Sequence, residues 1–194
     1  EYNIRLKTLT ELNEVIISGK CTALNQQKTA DTIKNVVAAE QIGRFPDPNV
    51  AEALQRVPGV NIERDQGEGR YVLVRGLAPK FTNVSINGEQ ISSPEAGVRY
   101  VALDAVPADQ LASMEISKSL LPDMDGDAIG GSVNLITRKA LDSLWRFSGS
   151  IVGGYNALMN KPNIQGSLQM GKRFGKREQF GLMVNLTHYH NDLG

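Results

Sequence analysis

Alternation of residue type in residues 145–190 constrains the fold more than any other feature of this sequence. One side of an extended chain there carries apolar or small residues and the other side polar or small ones, as in Ile164, Gly166, Leu168 and Met170 against Gln165, Ser167, Gln169 and Gly171. The same period recurs from Phe180 to Thr187. Alternating segments of about ten residues joined by turns are typical of a transmembrane β-barrel. A soluble meander with one wet face gives the same pattern, so the residues alone leave both folds open.

Composition excludes several classes of protein. The 21 basic and 21 acidic residues cancel, so no global field draws the chain to nucleic acid or to an anionic surface. Cys21 is the sole cysteine, which excludes an intrachain disulfide and a cysteine-built metal site. No apolar run approaches the roughly 18 residues of a membrane helix. The sequence lacks a signal peptide and a starting methionine, so we expect a processed chain or a fragment.

Residues 31–140 have the pattern of a compact α+β domain. Asp47 is suited to cap a helix that begins at Pro48, where a missing N–H costs nothing. The spacing of the next apolar residues predicts one buried stripe, made of Val50, Ala53, Leu54 and Val57. Pro58 and Gly59 should end this helix.

Short strands are predicted after that helix. Their sequences are VNIERD, RYVLVRG, NVSINGEQI, ASMEISKS and GSVNLITRK. Asn87 and Gly88 predict a tight turn, because both tolerate a positive φ. A second short helix should start near Pro107 and carry Leu111 inward.

The segment LPDMDGDAIGGSVNLITRK, residues 121–139, combines acids and glycines and could hold calcium or phosphate. An EF-hand loop that starts at Asp123 would need glycine at position 6 and an acid at position 12, where Ala128 and Asn134 stand. Gly130 and Gly131 lead into a strand pattern, whereas a phosphate-binding loop must open a helix. We therefore expect these glycines to serve tight turns and close packing, with no metal or cofactor bound.

The sequence offers few combinations of residues that are suited to catalysis. The two histidines, His188 and His190, lie in the last strand pattern, and His188 is on its apolar side. They could contribute to a metal site, but no third ligand is evident, and the serines have no nearby base. The sequence therefore predicts a protein that is not an enzyme.

The N-terminal region holds a short β-prone segment. Val15, Ile16 and Ile17 are stiff, β-branched residues, followed by polar residues 19–30 that indicate a flexible tether. The segment could pack as one more edge strand, or it could add itself to the sheet of a partner protein. Further on, Arg75 follows four core-type residues and should be partly buried with a carboxylate partner. Glu89, Glu115 or an acid of another domain could supply that partner.

Four separated motifs resemble, in order, the plug of TonB-dependent outer-membrane receptors. They are EVIISG, DPNVAEALQRVPGVNIERDQGEGRYVLVRGL, NVSINGE and MEISKSLLPDMDGDAIGGSVNLITRK, within residues 12–139. The subgroup called Caulobacter-type is the most similar. The resemblance implies an α+β plug with a short mixed sheet and two or more short helices, at residues 31–140. It also implies the end of a carboxypeptidase-regulatory-like domain at 1–11, a TonB box and tether at 12–30, and the first antiparallel strands of a transmembrane β-barrel at 141–194.

The resemblance also implies roles for individual residues. The TonB box, which pairs with the sheet of the periplasmic protein TonB, matches Glu14, Val15, Ile16, Ile17 and Ser18. Arg75 matches an arginine that pairs with barrel glutamates. Two loops, residues 77–82 and 92–100, match apices that face the substrate, and their largest contact groups are Lys80, Phe81, Arg99 and Tyr100.

The function implied by the resemblance is import of an extracellular nutrient across the outer membrane of a Gram-negative bacterium, driven through TonB by the inner-membrane proton gradient. The expected partners are TonB, outer-membrane lipid and a small or oligomeric nutrient, with a surface lipoprotein as a further candidate and no nucleic acid. Two alternatives stay open. One is a structural or partner-binding subunit of a larger surface complex, and the other is a soluble ion-binding module.

Overall fold

The computed structural model describes residues 19–45, 47–122, 124–140, 144–157, 160–175 and 179–190. The helices are α1 (Gly19–Thr29), α2 (Ala39–Ile42) and α3 (Val50–Leu54), with 3-10 turns at Pro79–Phe81 and Ala108–Gln110. The strands are β1 (Lys34–Ala38), β2 (Val60–Asp65), β3 (Glu68–Val74), β4 (Thr82–Ile86), β5 (Glu89–Gln90), β6 (Leu111–Ser117), β7 (Gly131–Thr137), β8 (Arg146–Asn156), β9 (Lys161–Phe174) and β10 (Phe180–His190). Within these ranges, the helices are all too short or too polar to cross a bilayer.

A five-stranded mixed sheet organises the α+β domain. Its strand order is β1-β6-β7-β4-β5, and β4 pairs with β7 in parallel while the other pairs are antiparallel. Met114, Ile116, Val133 and Leu135 project from its two central antiparallel strands into the core and are fully buried. The predicted turn at Asn87 and Gly88 is confirmed, with φ of 53° and 90° between β4 and β5. The second predicted helix is only a 3-10 turn, and it delivers a buried Leu111 into β6.

Helix α3 begins later than the sequence suggested. Asn49, not Asp47, caps it, because the Asn49 side chain accepts a hydrogen bond from the Glu52 N–H at 3.0 Å. Asp47 instead pairs with Arg56, at 2.7 Å from Nη2 to Oδ1. The predicted apolar stripe is confirmed, since Val50, Ala53, Leu54 and Val57 are all buried.

Residues 19–29 form helix α1 rather than the irregular tether that their polar composition suggested. The helix packs on the edge strand β1, where Ala23 joins Val36 and Ala38 in a small buried cluster. The Gln27 side chain donates to the Val36 carbonyl oxygen at 3.1 Å. That bond satisfies a backbone group on the open edge of the sheet, which is a contact that no local pattern encodes.

Strands β2 and β3 form a separate antiparallel hairpin that packs against α3. Its tip holds Gln66 and Gly67 in positive φ, at 51° and 86°. The hairpin packs against the helix at Gly69, whose N–H donates to Glu52 Oε1 at 2.9 Å and whose carbonyl accepts from Asn49. A Cβ at Gly69 would lie 3.3 Å from the Ala51 methyl, so the absence of a side chain permits this contact.

Strands β8, β9 and β10 form an antiparallel meander of 11, 14 and 11 residues. One side, called here the apolar face, is exposed and carries Phe147, Ile151, Tyr155, Ile164, Leu168, Phe174, Phe180, Leu182 and Leu186. Ile151 is 87% exposed and Leu168 47%. The other side, called the polar face, carries Ser148, Ser150, Gln165, Ser167 and Gln169. The predicted alternation is therefore confirmed. On the polar face Gln169 is buried and Gln165 and Ser167 are half-buried, while Ser148 and Ser150 are exposed. His188 pairs in register with Gly166 on the apolar face, as predicted.

Candidate functional site

Polar contacts join the α+β domain to the polar face. Gln169 is only 5% exposed, and its Nε2 donates to the Asp109 carbonyl oxygen at 2.6 Å. Its Oε1 accepts from Arg138 Nη1 at 3.1 Å. Arg138 also donates from Nε to the Leu111 carbonyl oxygen at 3.0 Å. One glutamine on β9 thus binds two elements of the α+β domain, the 3-10 turn before β6 and the segment that follows β7.

Beside these bonds lies a cavity of about 210 Å³ between the domain and β8–β9. Polar side chains from both walls line it, including Asp47, Asp109, Arg138, Ser150 and Ser167. A cavity of this size is roomy enough for several waters. The contact between domain and strands therefore combines a few direct hydrogen bonds with an unfilled gap.

Arg75 occupies a tight turn after β3, with φ of 56°. Its Nε and Nη2 donate to the carbonyl oxygens of Gly130 and Ile129, each at 3.1 Å. The expectation that it is partly buried is wrong, because the residue is exposed. Among the described residues no carboxylate pairs with it, and Glu115 pairs with Lys34 at 2.7 Å instead.

Gly130 and Gly131 serve close packing, as their strand context predicted. A Cβ on Gly130 would lie 2.9 Å from the Phe81 carbonyl oxygen. A Cβ on Gly131 would lie 2.8 Å from both the Ser117 carbonyl oxygen and Val74 Cγ1. Real Cβ atoms do not approach backbone oxygens so closely, so the two glycines let β3, β4, β6 and β7 converge at this end of the sheet.

The four apex candidates divide into two groups. Lys80 lies over the ring of Phe81, with Nζ 5.1 Å from its centroid, and the Phe81 carbonyl accepts from Gly130 at 2.8 Å. Arg99 forms an exposed ion pair with Asp127, in the same segment as Gly130. Phe81 and Arg99 are therefore bound to residues 127–130, and Lys80 contacts Phe81. Tyr100 belongs to the second group.

Tyr100 packs edge-to-face on Tyr71, with ring centroids 4.8 Å apart. The Tyr71 hydroxyl donates to Glu95 Oε1 at 3.0 Å. Burial raises the pKa of the Tyr71 hydroxyl above its ordinary value, and the hydrogen bond to the negative Glu95 raises it further. The phenol therefore stays a neutral donor at physiological pH.

Arg70 is a functional candidate that the sequence did not reveal. Its guanidinium lies among three carboxylates, at 2.5 Å from Asp65, 2.5 Å from Glu95 and 3.6 Å from Asp104. Hydrogen bonding to Asp65 and Glu95 raises the pKa of Arg70, which remains fully charged. Acids on both sides of an arginine at a hairpin tip, in DQGEGRY, were the only local signal. Glu95 and Asp104 arrive from a distant loop.

Residues 14–18, the predicted TonB box, and residues 1–11 lie outside the described part of the chain. Their assignments stay predictions. Among the described residues, no group of three or more acids, histidines or cysteines is arranged to hold a metal ion.

Comparison with known proteins identifies the family of the α+β domain. The profile described as TonB-dependent Receptor Plug Domain matches residues 26–132, which is more than half of the 194-residue chain. A ferric enterobactin receptor of Pseudomonas aeruginosa is 30% identical over 149 residues, covering 69% of this chain and 19% of the relative. The vitamin B12 transporter BtuB of Photobacterium profundum is 29% identical over 143 residues, covering 63% and 23%.

A solved structure extends the likeness to the strands. The unliganded ferric citrate transporter FecA matches with a TM-score of 0.68 at 19% identity, over 87% of this chain and 27% of that one. At that identity the match shows the fold alone. The chain spans about a fifth of the length of the curated relatives that it matches. These relatives are receptors and transporters rather than enzymes, and the Caulobacter-type subgroup stays a prediction. The chain belongs to the TonB-dependent receptors, which are proteins of the Gram-negative outer membrane.

Proposed function

We propose that this chain is the plug and the first barrel strands of an outer-membrane transporter that imports an extracellular nutrient with energy delivered through TonB. The observation that carries the proposal is the arrangement of the strands. The α+β domain is hydrogen-bonded to their polar face through Gln169, while their apolar face is exposed.

An exposed apolar face, and a polar face that contacts the α+β domain, suit strands that separate lipid from a lumen. The strands, at 11 to 14 residues, are also long enough to cross a bilayer at a tilt, which takes roughly 9–11 residues. A domain bound to the polar face of a closed barrel would stand in its lumen. Such a domain blocks passage until it moves, so the transporter needs an energy source and a segment, called here the handle, on which another protein can pull.

For the handle we assign Glu14, Val15, Ile16, Ile17 and Ser18. A β-branched run can add itself to the edge of another sheet through main-chain hydrogen bonds, which suits capture by TonB. A pull on this segment would reach the plug first at α1 and then at the edge strand β1. Strand β1 is at the edge of the sheet and pairs with β6 alone, and α1 packs on it, so local unfolding there should cost less than global unfolding.

For the substrate we assign two surfaces. One consists of Tyr71 and Tyr100 with Arg70 of strand β3. The other consists of Phe81 and Arg99, which contact residues 127–130, and Lys80, which contacts Phe81. Tyrosine rings and charged side chains suit a ligand with both apolar and polar parts. We keep Arg75 as a plug–barrel ion pair, because its exposed guanidinium remains accessible to a carboxylate on a strand beyond the described residues.

Deletion of residues 14–18 from the complete protein tests the proposal. Binding of ferric enterobactin and vitamin B12, the ligands named for two relatives, is first measured on whole cells, together with growth of a deletion strain on other nutrients. For the substrate so identified, the deleted protein should bind normally and show no uptake. Deletion of residues 1–5, equal in length, should leave uptake intact. Continued uptake without residues 14–18 would refute the assignment.

A further inference from the structure

One end of the β8–β10 meander carries a cluster of aromatic rings around a single lysine. The Trp145 cluster, as it is called here, consists of Trp145, Phe147, Lys172 and Phe174. Trp145 stacks on Phe147 and meets Phe174 edge-on, with centroids 6.1 Å apart in both pairs. Lys172 Nζ lies 5.5 Å from the Trp145 ring and 5.3 Å from the Phe174 ring. Both distances are within cation–π range.

The cluster lies on the apolar face. Phe147 pairs in register with Met170, and Phe174 pairs with Phe180, so the lysine shares a side with these apolar residues. Trp145 is 48% exposed and Phe147 65%, so the rings are available to an external partner. Among the described residues no carboxylate pairs with Lys172. Within the described strands, this ammonium group therefore contacts aromatic rings and no acid.

Charge along the strands is strongly asymmetric. Between residues 144 and 190 the basic residues are Arg146, Lys161, Lys172, Arg173, Lys176 and Arg177, and the single acid is Glu178. All of these except Lys161 belong to the start of β8, the end of β9 or the connection between β9 and β10. Within residues 144–190 the sequence at this end therefore carries a net charge of +4, and the other end carries Lys161.

Aromatic rings at the boundary of an apolar band mark the headgroup level of a bilayer. Basic residues at that level attract anionic lipid, at about fivefold in affinity for each lysine or arginine. The Trp145 cluster adds geometry to this attraction, because its rings fix one ammonium group beside the band that contacts acyl chains. We infer that the Trp145 cluster binds the phosphodiester headgroup of an anionic glycerophospholipid such as phosphatidylglycerol.

A single phosphodiester fits this site better than the doubly phosphorylated headgroup of lipid A. Among the basic residues that the structure describes at this end, Lys172 alone lies on the apolar face, whereas Arg146 and Arg173 alternate to the other side. A ligand with two phosphates would need a second cation beside the first on the lipid side. The inference depends on the apolar face contacting lipid, and does not depend on substrate or TonB.

Native mass spectrometry of the complete protein tests the inference. The protein is reconstituted in nanodiscs of phosphatidylethanolamine with and without phosphatidylglycerol, and the lipid retained after release is weighed and titrated. The wild type should retain phosphatidylglycerol selectively. Lys172→Gln should weaken this binding about fivefold, and Lys172→Arg, which keeps the charge over the rings, should restore it. Lys161→Gln, at the other end of the same strand, should change it less than twofold.

Three outcomes would overturn the inference. One is equal phosphatidylglycerol affinity in Lys172→Gln and the wild type. Another is an equal loss in Lys161→Gln, which would indicate a general charge effect rather than a site. The third is displacement of phosphatidylglycerol by lipid A at lower concentration, which would assign the cluster to that lipid. Circular dichroism of each variant before reconstitution verifies that the barrel has folded.

Discussion

Replacing Gly131 with alanine adds one methyl group where the plug has no room for it. The new Cβ would lie 2.8 Å from the Ser117 carbonyl oxygen on β6 and 2.8 Å from Val74 Cγ1 on β3. Overpacking of this kind costs about 1–3 kcal/mol. Gly131 also has φ of +150°, and a residue with a Cβ held at positive φ costs about 1–3 kcal/mol. The two effects together should destabilise the plug by about 2–6 kcal/mol.

Hydrogen exchange in the complete protein measures this cost locally. A loss of about 2 kcal/mol raises the exchange rate of amides that open with the sheet by about 30-fold, and larger losses raise it more. The increase should appear in β4, β6 and β7, which meet at Gly131, and should be absent from β9 and β10. Gly126→Ala is the matched control, because nothing lies within 4 Å of its added Cβ and its φ is not positive. Equal exchange in Gly131→Ala and Gly126→Ala would refute the packing role of Gly131.

The remaining predictions concern the core, the contact with β9 and the apex. Leu54→Ala, at a fully buried residue, should lower the free energy of unfolding of the plug by about 2–5 kcal/mol in the same exchange assay. Leu24→Ala is the control, because Leu24 is 46% exposed and its truncation should cost far less. Similar losses in the two variants would contradict the assigned core. Gln169→Leu removes the hydrogen bonds to Asp109 and Arg138 and should weaken the attachment of the plug to β9 by about 1–3 kcal/mol, so proteases should cleave the plug faster. Gln165→Leu, on the same face, should leave the cleavage rate unchanged. Equal cleavage rates in the two variants would contradict this contact. The pKa of the Tyr71 phenol is raised, so its ionisation, followed by ultraviolet absorbance, should occur above the ordinary tyrosine range. The ionisation step at the highest pH should be absent in Tyr71→Phe and present in Tyr155→Phe. Since the folded-state pKa is the higher one, the stabilisation from Tyr71 is complete below about pH 10 and is lost as pH rises through the folded value.

The parts of the fold that sequence predicted are those set by local periodicity. The apolar stripe of α3, the turn at Asn87 and Gly88 and the alternation of β9 each depend on residues a few positions apart. The cap of α3 was misplaced because Asp47 and Asn49 are both good caps, and the choice depends on Arg56 drawing Asp47 away. Helix α1 was missed because it packs on β1, and its own polar sequence does not indicate that contact.

The candidate sites show the same division between what neighbouring residues in the sequence indicate and what only the structure shows. Family resemblance selected Arg75 and the four apex residues by their motifs, but their contacts required the structure. Arg75 was expected to be partly buried, and it proved exposed because its positive-φ turn carries the side chain out to the carbonyls of residues 129 and 130. Arg70 gave almost no signal, since Glu95 and Asp104 lie 25 or more residues away from it along the chain.

A reversible covalent tie between the plug and β9 tests the central claim most directly. Asp109→Cys and Gln169→Cys, introduced with Cys21→Ser, place two thiols where the Gln169 side chain meets the Asp109 backbone at 2.6 Å. A short, cleavable thiol crosslinker should then leave substrate binding intact and abolish uptake, and cleavage should restore uptake. Undiminished uptake with the crosslink in place would contradict a plug that must leave the polar face of these strands.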